Sequence, residues 1–271
     1  MIGIPILIAA YAIAFLAPVA GSFLDDGIYI VTAKSLAEGN GYRIQSLPGD
    51  PPQTKHPFLF PALLAAVWRI WPSFPENVQA LKTVPLLFGF LWAWAVWLGF
   101  RDELGRTGAA WLAALTLASP WTVFLSSSLL SETLFAFLTW LALSRIRRLR
   151  EEPAGWPVAF AALLTAAAFL ARTSGIALIA AGILALAKAK KWKQCGIYAA
   201  VCAVCCSPWT LWQAANPAPS SPVFAYYSKA NYAAWNLLAN FDVGQKLSIL
   251  LQNLAKAQRP SLPRCLDFPA I

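Results

Sequence analysis

Four short polar stretches interrupt an otherwise apolar chain: Asp25-Asp26, Lys55-His56-Pro57, Ser131-Glu132 and Arg172-Thr173. Carboxylates such as Asp25, Asp26 and Glu132 can take a proton from a hydroxyl or hold a divalent cation. Lys55, His56 and Arg172 can hold an anion such as a phosphate. Each stretch also has a structural reading. Asp25-Asp26 precedes a helical pattern (Ile30, Ala33, Leu36, Ala37). One aspartate suits a helix cap there, whereas two adjacent carboxylates exceed what a cap needs. On residue types alone, cap and site are both open. Glu132 stands in the first turn of an apolar run, an ordinary place for an acid, with Ser128 or Ser131 as cap. His56 is the only histidine, so a metal there would need the carboxylates as co-ligands. Arg172 falls between two apolar runs with almost no loop. It either snorkels to headgroups or faces a wet cavity or an anion.

Composition decides what kind of scaffold carries these residues. The 271 residues are 59% hydrophobic and 12% charged, with 13 Trp and a mean hydropathy of +0.57. A soluble domain carries about 25% charged residues. Half that charge cannot cover a folded surface in water, and the same figures exclude disordered and disulfide-framed classes. The fold class expected is an all-α polytopic membrane protein. Cys202, Cys205 and Cys206 have CxxCC spacing without a nearby His or carboxylate, and read as packing.

A spanning helix needs about 20 mainly apolar residues. The runs read as crossings are Ile2–Ala20, Leu81–Phe100, Gly108–Leu125, Leu129–Ser144, Trp156–Ala171, Ser174–Ala187 and Gly196–Trp212. Pro57–Trp71 reaches only about 22 Å and reads instead as a helix lying in the interface. Basic residues then fall in alternate connections: Arg101 and Arg106; Arg145, Arg147, Arg148 and Arg150; Lys188, Lys190, Lys191 and Lys193. The positive-inside rule makes these turns cytoplasmic. It predicts seven crossings, a cytoplasmic N-terminus and a large external loop over residues 21–80. The net charge of +9 is then orientation, not a sign of nucleic-acid binding. Residues 1–213 form the membrane module. Residues 214–271 form an external tail with a short amphipathic helix through Leu247, Leu250, Leu251 and Leu254. All four polar stretches collect on the external face.

At these residues the sequence resembles the GT-C membrane glycosyltransferases. That superfamily includes the protein O-mannosyltransferases, the lipid A aminoarabinose transferases and the RgtA/B/C/D-like group. The resemblance runs through Phe23-Leu24-Asp25-Asp26-Gly27-Ile28-Tyr29, Gly39, Gly41-Tyr42, His56-Pro57, Pro61, Ser119-Pro120, Ser131-Glu132 and Arg172-Thr173-Ser174-Gly175, within residues 5–215. It implies a seven-helix module with juxtamembrane helices in the first external loop. It also implies inverting transfer of a sugar from a polyprenyl-phosphate donor to an acceptor hydroxyl, at the outer face of a bacterial inner (plasma) membrane. Asp25 matches the family's general base or acceptor-orienting acid, Asp26 its acidic neighbour and Glu132 the acid opening the fourth span. Lys55, His56 and Arg172 match basic positions at the donor phosphate. Some relatives use a divalent cation (Mg or Mn), which Asp26 and Glu132 would hold here. Membrane lipids and the lipid-borne donor are the implied partners. Relatives continue past the seventh span with further helices, so a shortened member is expected.

Two other classes compete. A transporter or flippase places ionisable groups near the bilayer midplane in paired repeats, and neither midplane charges nor repeats appear here. A non-catalytic partner of a longer transferase would keep the fold without the activity.

Overall fold

The computed structural model describes residues 3–23, 25–149 and 154–216, which belong to one compact unit. These residues are helical, and among them no strand forms beyond an isolated bridge between Arg43 and Pro52. In chain order the helices are α1 (Gly3–Leu16), α2 (Asp25–Ala37), α3 (Leu59–Ile70), α4 (Val78–Ala118), α5 (Pro120–Ser127), α6 (Glu132–Arg148), α7 (Trp156–Ala171), α8 (Ile176–Lys188) and α9 (Trp192–Ala215). A 3₁₀ turn, Thr173–Gly175, joins α7 to α8.

Breakers set the boundaries. α4 is interrupted at Gly105, whose φ of 69° and ψ of 167° no helix tolerates. The chain doubles back there. Tyr11 stacks on Phe90 at 5.6 Å and donates its hydroxyl proton to the Leu117 carbonyl at 3.1 Å. Those two positions would lie about 40 Å apart on one straight helix, so the arms of α4 lie side by side. Pro120 then starts α5 at its first position, where a missing N–H costs nothing.

The packing is made by small residues and a few hydrogen-bonding aromatics. On α7, Ala161, Ala162, Ala166, Ala168 and Ala171 are almost wholly buried, letting α6 and α9 approach closely. Tyr198 of α9 donates to Thr165 of α7 at 2.9 Å and occupies the space left by Gly182 of α8. Trp140 of α6 donates to the Ala95 carbonyl at 2.9 Å over Gly99. Cys202 and Cys206 are buried and free, and the Cys202 thiol faces the Ala162 carbonyl of α7.

Charge separates along the bundle. Arg147 pairs with Glu103 at 3.0 Å, which puts the end of α6 beside the turn of α4. Since α6 to α9 alternate in direction, Lys188, Lys190 and Lys191 share that end. The other end carries the C-terminus of α1 and the starts of α2 and α6. There Lys82, 1% exposed, donates to the Ala17 and Phe15 carbonyls at 2.6 and 3.3 Å and so satisfies the end of α1. Arg69 does the same for α2, reaching the Leu36 and Ala37 carbonyls at 3.4 Å.

The outer faces of the helices are apolar. Ile8, Ile13, Trp111, Trp121, Leu184 and Val204 are each more than 60% exposed, a surface suited to lipid rather than water. By length and composition, α4 and α9 are able to cross a membrane, or three spans if α5 and α6, bent by 114°, count as one. Seven crossings are not supported. α1, α7 and α8 have 14, 16 and 13 residues, about 20–24 Å of rise against a hydrocarbon core of about 30 Å. The expected run Gly108–Leu125 is cut at Ser119, and the helix expected from Leu129 starts only at Glu132. A helix, α3, does stand within Pro57–Trp71, and α2 packs against it. The tail helix expected around Leu247–Leu254 lies outside the described residues.

Candidate active site

Asp25 and Asp26 open α2 and divide the two readings between them. Asp26 is 1% exposed. Its carboxylate accepts the Ser22, Phe23 and Gly27 backbone N–H groups at 3.0, 2.8 and 2.8 Å. That fixes the turn entering the helix, and an acid with three amide donors has no oxygen to spare. Asp25 points the other way. Its Oδ1 lies 3.4 Å from His56 Nε2 and 3.9 Å from Lys55 Nζ, and among the described residues no hydrogen bond or ion pair is seen on Oδ2.

Lys55 and His56 come from a loop that two separate elements hold. Tyr42 donates to the His56 carbonyl at 2.8 Å, and Gln53 Oε1 accepts the Lys55 N–H at 2.6 Å. From α9, Trp212 Nε1 donates to the Gln53 carbonyl at 2.9 Å and Gln213 Nε2 to the Thr54 carbonyl at 2.8 Å. A residue pair 159 positions away thereby sets the height of His56.

Glu132 and Arg172 form the second half. Arg172 ends α7 in extended conformation, and the Thr173–Gly175 turn folds back beneath it. Gly175 is required for that fold. A Cβ there would stand 2.6 Å from the Phe169 nitrogen and 2.7 Å from its Cα, both backbone atoms. Arg172 Nη1 pairs with Glu132 Oε1 and reaches Ser131 Oγ at 3.4 Å. Glu132 Oε2 is buried without a hydrogen-bond partner. Neither serine expected to cap α6 does so. Ser131 makes no cap bond, and Ser128 donates back to the Phe124 carbonyl at 2.8 Å.

Tyr29 joins the halves. Its ring is buried against Phe60 and His56, with its hydroxyl 3.4 Å from His56 Nδ1 and 3.1 Å from Ser131 Oγ. Residues from α2, the loop, α6 and the end of α7 therefore form one connected cluster. Sequence reasoning assigned Tyr29 no role and gave Ser131 only a cap. The available signal was spacing: position 29 lies four residues after Asp25, on the same helix face.

The cluster carries two carboxylates and two fixed cations, each partly open. The side chains of Asp25, Glu132 and Arg172 are about one third exposed and Lys55 about one quarter. The His56 contact holds the Asp25 carboxyl below its ordinary range. Partial burial opposes this, while the Lys55 and Arg172 charges add to it. Burial pushes the Tyr29 phenol well above its usual value, so it stays protonated and able to donate. As cation ligands, Asp26 and Glu132 fit poorly, because the first is saturated by amides and the second is paired to Arg172. Among the described residues no group of three His, Cys, Asp or Glu side chains is gathered to hold a metal ion.

Comparison with family models, curated proteins and solved structures finds no match to this chain.

Proposed function

We propose that the chain is an integral-membrane glycosyltransferase. It moves a sugar from a polyprenyl-phosphate carrier to an acceptor hydroxyl, with inversion, on the external or periplasmic face. The observation that carries this reading is the pairing of an open carboxylate oxygen, Asp25 Oδ2, with cations in the same cluster. Single displacement at an anomeric carbon needs both a proton acceptor and a holder for the leaving charge.

In the proposed reaction Asp25 Oδ2 takes the proton of the acceptor hydroxyl. The oxygen attacks the anomeric carbon, the bond from that carbon to the phosphate oxygen breaks, and the polyprenyl phosphate leaves with the electron pair. Its charge meets Lys55 and the Arg172 edge away from Glu132, since a guanidinium has five donors and only Nη1 is engaged. The low proton affinity of Asp25 keeps it ionised at neutral pH. A transmembrane donor also explains why this cluster stands at the end of an apolar bundle opposite the basic turns. The proposal retains seven crossings, with the bilayer locally thinned around the short helices. No step passes through a metal ion.

Membranes containing the protein and supplied with a polyprenyl-phosphate sugar test this directly. Asp25→Asn should insert normally and lose transfer by about 100-fold or more, the scale of a general base. Undiminished transfer in that variant overturns the assignment.

A further inference from the structure

Donor and acceptor counting gives the cluster a direction. A guanidinium has only donors, so at 3.4 Å from Arg172 Nη1 the Ser131 oxygen is an acceptor. Its single proton then has the Tyr29 oxygen, 3.1 Å away, as its acceptor among the described residues. Tyr29, 2% exposed, then has its own proton to give, and His56 Nδ1 stands 3.4 Å from it. A ring nitrogen that accepts is bare, so a neutral His56 carries its proton on Nε2. That nitrogen lies 3.4 Å from Asp25 Oδ1, an oxygen that only accepts when ionised; the contact is a close approach rather than an aligned hydrogen bond, and Nε2 has no hydrogen-bond partner among the described residues. The reverse order is opposed at the carboxylate: with the proton on Nδ1, a nitrogen lone pair would face ionised Asp25, even though the Ser131 oxygen, with two lone pairs, has room to accept from both Arg172 and Tyr29.

We propose that Tyr29 and Ser131 are positioning residues whose hydroxyls, in a one-way chain from Arg172 through His56 to Asp25, fix His56 as the neutral Nε2–H tautomer. The significance for catalysis rests on Asp25 being the base; the tautomer does not. His56 then orients Asp25 and leaves Oδ2 toward the acceptor, in the way that the second ring nitrogen usually settles which nitrogen works. The cationic work is left to Lys55 and Arg172, and Glu132 balances Arg172. Asp25 and Lys55 are the charged groups beside the ring, and the Arg172–Glu132 pair lies beyond Tyr29 and Ser131.

Because His56 is the only histidine, imidazole ¹⁵N labelling of the full chain in micelles reports this ring alone. At about pH 8, the wild type should show a protonated Nε2 and a bare Nδ1 that accepts a hydrogen bond. Tyr29→Phe removes that bond, so the Nδ1 resonance should move downfield toward a free bare nitrogen. Ser131→Ala leaves Tyr29 in place without its donor and should move Nδ1 the same way by less. It serves as the test if Tyr29→Phe does not fold. A proton on Nδ1, a persistent imidazolium at that pH, or an Nδ1 resonance unmoved in both variants overturns the proposal. Loss of the transferase reading would leave these spectra unchanged, so the two failures are distinguishable.

Discussion

Gly175→Ala separates two physical expectations by sign. Gly175 has φ −59° and ψ −12°, which alanine adopts without strain. In open space the replacement would stabilise by about 0.4–1 kcal/mol, through lost freedom of the unfolded chain. Here the new methyl would lie 2.6 Å from Phe169 N, 2.7 Å from Phe169 Cα and 2.9 Å from the Ala168 carbonyl carbon. The first is roughly 0.8 Å inside ordinary carbon contact. None of these atoms belongs to a flexible side chain, so the Thr173–Gly175 turn must lift from α7. Overpacking of this kind costs about 1–3 kcal/mol, which outweighs the entropic gain. The lift also reaches the site. The Arg172–Ser131 bond is already 3.4 Å, and stretching it by several tenths of an ångström breaks it. Gly196→Ala is the control, since Gly196 lies on exposed α9 with nothing within 4 Å of a built Cβ. It should stabilise by about 0.5–1 kcal/mol. Unfolding in mixed micelles, followed by tryptophan fluorescence, measures both. A neutral or stabilising Gly175→Ala refutes the close approach of the turn to α7, and with it the account of how Arg172 is held.

Other outcomes follow from the same geometry. Arg172→Met should cost about 2 kcal/mol, since it strips the partner from a carboxylate about one third exposed whose other oxygen already has none. Adding Glu132→Gln should recover part of that loss, and additive single effects in the double-mutant cycle would disprove the pairing. Asp26→Ala should destabilise by about 2 kcal/mol, because three amides lose their acceptor, whereas Asp25→Asn should cost far less; equal losses would refute the division of roles. The folded Asp25 carboxyl titrates below its unfolded value, so its stabilisation is complete above about pH 4 and fades as pH falls through the folded value. The stability gap between wild type and Asp25→Asn should stay flat above about pH 5 and close in acid, and a gap that widens in acid contradicts the shift. For orientation, a variant without native cysteines carrying Ser46→Cys should label with a membrane-impermeant reagent, and one carrying Lys190→Cys should not. The opposite pattern reverses the proposed topology.

Helix existence was largely readable from the chain, because apolar run length and breakers are local properties. α7 occupies the run Trp156–Ala171 as expected, and α3 stands where the short run Pro57–Trp71 placed a helix. Boundaries near Ser119 and Leu129 were not readable. A hydropathy run continues through Ser119-Pro120 and Ser128–Ser131, where the backbone turns. The four polar stretches were visible one by one, and alternation of the basic connections assigned them to a common end.

What the sequence determined by itself is therefore the class of element, the apolar character and the short list of chemistry-bearing residues. Composition and spacing act through local propensity and burial, which each segment expresses alone. The division of labour within that list belongs to tertiary structure. Asp25 and Asp26 are chemically identical neighbours, yet one is saturated by the Ser22–Phe23 turn and the other faces Lys55 and His56. Tyr29 and Ser131 acquire their place only when α2 meets α6, 102 residues apart in the chain. Hydrogen bonds reach about 3 Å and depend on direction, so which oxygen is spent and which is open is settled only after the helices have packed.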